Sequence, residues 1–268
     1  MSEVRTNMQF NPLSTSPLGL NGSKLQTGRR ALIGWLAFIT LLAWVYMFYL
    51  GASMPQMTVA QIVEPNLQPW TLVTFVMMFV MWTVMMAAMM LPSAMPTIWL
   101  YARVNQSKGH QINNTLFVCG YLALWTAFSF VATLLQWLLH SYGLLSAMDA
   151  TNSPALGGSV LILAGIYQWA PFKRVCLNHC RSPLSFLMTR WREGAWGAWT
   201  MGLHHGAYCV GCCWALMLVL FVVGVMNLLW VVLITAYVLL EKWLFSGESA
   251  GRWLGLALMI WGIGLIAI

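Results

Sequence analysis

Apolar residues fill positions 31–50, 71–100, 115–139 and 156–170 almost without charge, and short polar stretches rich in Gly, Pro and Asn separate them. A helix needs about 20 apolar residues to cross about 30 Å of hydrocarbon, so each run predicts a membrane-spanning helix, the fourth a short one. From 195 to 240 no Asp, Glu, Lys or Arg occurs. One helix over that stretch would reach about 70 Å, roughly twice the hydrocarbon thickness, so the chain must turn within it. Gly224 and Asn227 offer the turn, which gives spans at about 195–223 and 227–245 and a last one at 252–268. The pattern predicts an all-α, polytopic transmembrane helix bundle of about seven spans. A six-span alternative lays 195–203 in the interface and runs one long tilted helix over 208–240.

Composition agrees with that reading. Of 268 residues, 60% are apolar and 7% charged, where a soluble domain carries about 25% charged residues. This excludes a soluble globular fold. Eleven of the 13 Lys and Arg fall within 1–30, 101–114 or 172–194, whereas 52–70 and 140–155 have none. The positive-inside rule then puts the N-terminus of a multi-pass membrane protein in the cytoplasm. Basic residues that flank apolar segments mark topology rather than a nucleic-acid stripe, so the net charge of +7 implies a lipid bilayer and no nucleic acid. Residues 1–30 read as a flexible cytoplasmic tail, and 31–268 as a single transmembrane helical domain. Trp70, Trp99, Trp169 and Trp253 close spans, where the interface favours indole.

The chemistry lies in sulfur and imidazole. Nineteen Met, six Cys and five His stand against six acidic residues, an inventory of soft ligands. In the second run, Met77, Met81, Met85 and Met89 recur at i, i+4 with Met78, Met86 and Met90 beside them, a thioether face over about 18 Å of helix. Methionine also fills irregular helix interfaces, which accounts for any one of them more readily than for the set. Pro92 and Pro96 cannot donate backbone hydrogen bonds, which predicts a kink and freed carbonyls such as that of Ala88. In the fifth run, Met201, His205, Cys209, Cys213 and Met217 follow at strict i, i+4 spacing, and Cys212 adds a thiol. A lone Cys-x-x-Cys is a weak signal, since thiols pack as small hydrophobes. Three Cys and a His within nine residues of a membrane span favour a ligand role over packing.

A third cluster, Cys176, His179 and Cys180, follows the fourth span. It offers two or three ligands, too few for a closed four-ligand zinc site, and reduced, unpaired thiols are its plain alternative. Lys173, Arg174 and Arg181 beside it suit lipid headgroups. Cys119 reads as core, and His110 and His140 as interfacial. Glu241 reads as an exposed interfacial acid paired to its neighbours ahead of a proton or cation relay. There is no Ser/His/Asp arrangement, phosphate loop or carboxylate pair, so no catalytic residue is assigned.

The run Met85-Met86-Ala-Ala-Met89-Met90-Leu-Pro92-Ser-Ala-Met95-Pro96, then Cys176-x-x-His179-Cys180, then His205-Gly-Ala-Tyr-Cys209-Val-Gly-Cys212-Cys213-Trp, then Gly224-Val-Met226-Asn227 and Glu241-Lys242, resembles a bacterial family of predicted metal-binding integral membrane proteins, a domain of unknown function. The resemblance covers about 70–245. It implies metal binding by His205, Cys209, Cys212, Cys213, Cys176, His179 and Cys180, and it names no reaction.

Residues and resemblance together predict an inner-membrane protein that binds and transports or delivers a soft metal ion. Cu(I) stands ahead of zinc or iron, and Met81, Met85 and Met89 form a weak path toward the thiolates. The expected partners are the bilayer, the metal ion and a metallochaperone or metalloenzyme. The alternatives are a membrane subunit or assembly factor of a copper- or iron-dependent enzyme, or a membrane thiol oxidoreductase using Cys209 and Cys212.

Overall fold

An apolar run inside a bilayer can satisfy its backbone only by hydrogen-bonding to itself, and the chain does so almost throughout. The computed structural model describes residues 22–53, 70–106, 111–145, 150–244 and 249–267. Among them are nine helices: α1 Gly22–Ser53, α2 Leu72–Gln106, α3 Gln111–Ser141, α4 Pro154–Trp169, α5 Pro171–Arg181, α6 Pro183–Arg190, α7 Gly194–Val223, α8 Leu228–Trp243 and α9 Ser249–Ala267. Within the tail expected to be flexible, Gly22 to Arg30 already belong to α1. His110 and Lys108 lie outside the described residues.

Five helices, α1, α2, α3, α7 and α9, are long and apolar enough to cross a membrane, and the pair α4–α5, bent by 64°, makes a sixth if taken as one span. The seven expected spans are thus reduced. The stretch 156–170 forms the 16-residue α4, which breaks at Ala170 because Pro171 starts a new helix, and α8 also has only 16 residues. The six-span alternative with an interfacial 195–203 is not what forms, since α7 is continuous from Gly194 to Val223. The turn at 224–227 is present. Gly224 ends α7 at φ +93°, a value glycine adopts without strain, and its carbonyl accepts from the Asn227 amide at 3.0 Å.

Helix surfaces follow the bilayer rather than water. Trp35, Leu41, Val45, Leu72, Val73, Leu163, Trp196 and Ile263 are exposed, so the outside is as apolar as the inside. Close approach between helices then relies on small residues. On α4 and α9, Gly158 and Gly165 face Gly262 and Gly255, and a Cβ on any of the four would meet the opposing backbone carbonyl at 2.5–2.7 Å. On α3 and α7, Gly120 and Gly202 leave the same room, the first against Trp199 and the second against Phe117. That crossing sets Tyr121 against the cysteine-bearing face of α7.

Helix α2 continues through both of its prolines instead of ending at them. The Ala88 carbonyl, which Pro92 cannot serve, accepts from Trp44 Nε1 at 3.2 Å. Ser153 caps α4 by accepting from the Leu156 amide, and the Thr151 amide donates to the Phe221 carbonyl at 2.8 Å, tying the α3–α4 connection to the last turn of α7.

Candidate metal centre

Three thiols of the candidate site sit on α7, where Cys209, Cys212 and Cys213 are all buried. The Sγ atoms of Cys212 and Cys213 are 3.3 Å apart. The 64° bend at Ala170 swings α5 across α7, and this brings Cys180 Sγ to 4.0 Å from Cys212 Sγ. Cys212 Sγ also donates to the Cys209 carbonyl at 3.1 Å, one turn back on the same face. Two helices thus converge four thiols, and Cys180 supplies the one that the spacing on α7 cannot.

His205, one turn before Cys209, is buried among Phe117, Tyr121 and Phe186 with ring centroids 6.1, 5.6 and 5.4 Å away. Its Nδ1 has no hydrogen-bond partner. A buried imidazole nitrogen without a partner is costly in a packed interior and is the chemistry of a ligand.

Residues that sequence reasoning missed complete the surroundings. Lys242, at the end of α8, donates from Nζ to Cys209 Sγ at 3.0 Å and to Ser93 Oγ at 3.0 Å. The Tyr121 hydroxyl donates to the Met90 carbonyl at 3.0 Å and lies 3.2 Å from Cys209 Sγ. Cys209 therefore has a cation and a phenol against its sulfur. The available signal for Lys242 was a basic residue closing an apolar helix, which marks function inside a bilayer as readily as it marks a cytoplasmic loop.

Other expectations change in the fold. Glu241 is buried rather than exposed, and its partner is not the adjacent Lys242. It accepts from Lys173 Nζ at 2.6 Å and from the Tyr237 hydroxyl at 3.0 Å. Lys173 is itself buried and also donates to Gln168, and Arg181 donates to the Glu241 backbone carbonyl at 2.7 Å, so these two bases serve the protein interior and not lipid headgroups. An ion pair buried at the α5–α8 contact holds the helix that carries Cys180. Cys119 is exposed on α3 and is not core, whereas His140 is buried against Trp70 with ring centroids 5.5 Å apart.

Cys176 is buried with its Sγ against Gly211, while His179 stacks on Tyr208 at 4.3 Å and its Nδ1 meets the Val175 carbonyl at 2.9 Å. Both residues pack against the same face of α7 as Cys180, and Cys180 is the one of the three in sulfur contact with Cys212. Met81, Met85 and Met89 are buried in the core that also holds Cys209, Cys212 and Cys213, whereas Met77, the first of the series, is 65% exposed. Met201 uses its sulfur to accept from the Arg192 amide at 3.3 Å.

Metal–sulfur bonds of about 2.3 Å put two thiolates on one ion about 3.8 Å apart in tetrahedral and about 4.6 Å apart in linear geometry. The Cys180–Cys212 separation of 4.0 Å lies in that range, and the Cys212–Cys213 separation of 3.3 Å lies below it. As they stand, no three His, Cys, Asp or Glu side chains among the described residues form a group that could hold a metal ion. The donor chemistry of the four thiols is that of a soft ion.

Comparison with known proteins adds one finding. No curated protein and no solved structure matches the chain. Residues 79–265, which include every thiol of the converging set together with His205 and Lys242, match a family model described as a copper chaperone, and the chain belongs to this PpoB2 family.

Proposed function

We propose that this protein binds Cu(I) within a bacterial inner membrane and delivers it to a recipient protein. The observation that carries the reading is the convergence of Cys180 from α5 with Cys209, Cys212 and Cys213 from α7 in a chain of a copper chaperone family. Thiolates select Cu(I) through softness, and a cargo site needs ligands that can be exchanged one at a time. The buried thioethers of Met81, Met85 and Met89 supply weaker sulfur in the same core, and His205 offers a nitrogen donor. The N-terminus and the basic α5 and α6 face the cytoplasm. The recipient is a copper-requiring enzyme or a second metallochaperone.

The test is to purify the protein from cells grown in copper-replete medium, quantify copper, zinc and iron, and repeat with Cys209, Cys212 and Cys213 all changed to Ser. Copper bound by the wild type and lost from the variant is the expected result. Equal copper in both overturns the reading.

A further inference from the structure

Glu241 and Lys242 are adjacent on α8, yet they face different partners. Glu241 is committed to Lys173 at 2.6 Å and to Tyr237, while Lys242, 8% exposed, is given to Ser93 and to the sulfur of Cys209. A buried ammonium needs a compensating negative charge, and the one acid beside it in sequence is already neutralised. The group at hydrogen-bond distance that can supply the charge is sulfur.

We propose that Lys242 is the counter-charge of the copper-loaded cluster, a positioning residue that keeps a two-thiolate Cu(I) complex electrically neutral inside the helix bundle; this rests on the copper reading above. Cu(I) brings one positive charge and two thiolates bring two negative ones, so the complex alone is an anion. An anion buried in an apolar core is strongly disfavoured, and the ammonium 3.0 Å from Cys209 cancels it. In loading, Cys209 is already the thiolate paired with Lys242, two metal–sulfur bonds form, the second thiol's S–H bond breaks with its electron pair left on sulfur, that one proton passes to water, and no electron is transferred. Lys242 need not leave, because a thiolate sulfur can accept its hydrogen bond while a different lone pair binds the metal. With a divalent ion the same ammonium would call for three thiolates instead of two.

The experiment uses the full-length protein in detergent and Cu(I) itself, with affinity read by competition against a chromogenic Cu(I) chelator. Lys242→Gln weakens Cu(I) binding by about 10- to 100-fold, the usual cost of losing a group that supports a metal ligand. Lys242→Arg, which keeps the charge, restores most of the affinity. Near-ultraviolet thiolate-to-copper absorption persists in the Gln variant at saturating copper, which shows that its ligands are unchanged. Lys242→Met, which retains an apolar stem, serves if the Gln variant does not fold. Unchanged or tighter Cu(I) binding in the neutral variants overturns the proposal, as does a variant that is only less stable to heat. A wild type that binds no Cu(I) overturns the copper reading itself.

Discussion

The indole of Trp44 on α1 donates to the Ala88 carbonyl on α2 across 3.2 Å, at the position where Pro92 withholds the helix's own donor. A helix otherwise weakened by proline is repaired from its neighbour. Trp44→Phe leaves that carbonyl unsatisfied and costs about 1–3 kcal/mol. In a Pro92→Ala background the restored amide serves the carbonyl, and the same Trp44 substitution costs less. Thermal unfolding of the four proteins in detergent measures the coupling, and strictly additive effects refute it.

The two cysteines of α5 should separate in function. Cys180→Ser removes the thiol 4.0 Å from Cys212 and lowers Cu(I) affinity by more than about 10-fold, whereas Cys176→Ser, at the thiol packed on Gly211, leaves it close to wild type. Chelator competition on both variants is the measurement, and equal losses contradict the assignment.

The α3–α7 crossing admits no side chain at Gly202, since a Cβ there runs into the Phe117 carbonyl. Gly202→Ala forces the helices apart at a cost of about 1–3 kcal/mol and draws Tyr121 away from Cys209. Lower melting temperature and weaker copper binding are expected together. Gly34→Ala and Gly264→Ala, where an added methyl meets nothing within 4 Å, serve as controls that change neither.

Glu241→Gln strands the Lys173 ammonium in the interior and costs about 3–5 kcal/mol, read as a fall in melting temperature. Adding Lys173→Met removes the stranded charge and recovers part of the loss. A double variant no more stable than Glu241→Gln alone contradicts the pairing.

Helical character, the end of α7 at Gly224 and the cysteine face of α7 were legible in the sequence because each is local: an apolar run, a turn residue, a spacing of four. The Ala88 carbonyl was legible for the same reason, since a proline names the acceptor it deprives four residues earlier. Which donor would serve it was not legible, because Trp44 is 44 residues away. The same limit hid the choice between Cys176 and Cys180. Both lie on one face of α5, and only the bend at Ala170 decides which thiol reaches Cys212. Glu241 and Lys242 read as a neighbouring pair because opposite charges adjacent in sequence suggest each other. On a helix, consecutive residues point about 100° apart, so each found its partner on a different element.

The bend between α4 and α5 makes the Cys180–Cys212 pair depend on the order in which the chain is made. Cys180 and Cys212 are 32 residues apart and meet only after α7 has been made and packed against α5. A nascent chain that has reached α5 lacks the α7 thiols that Cys180 meets in the folded protein. Under the copper reading proposed above, a site that joins Cys180 to the α7 thiols is therefore contingent on completed assembly.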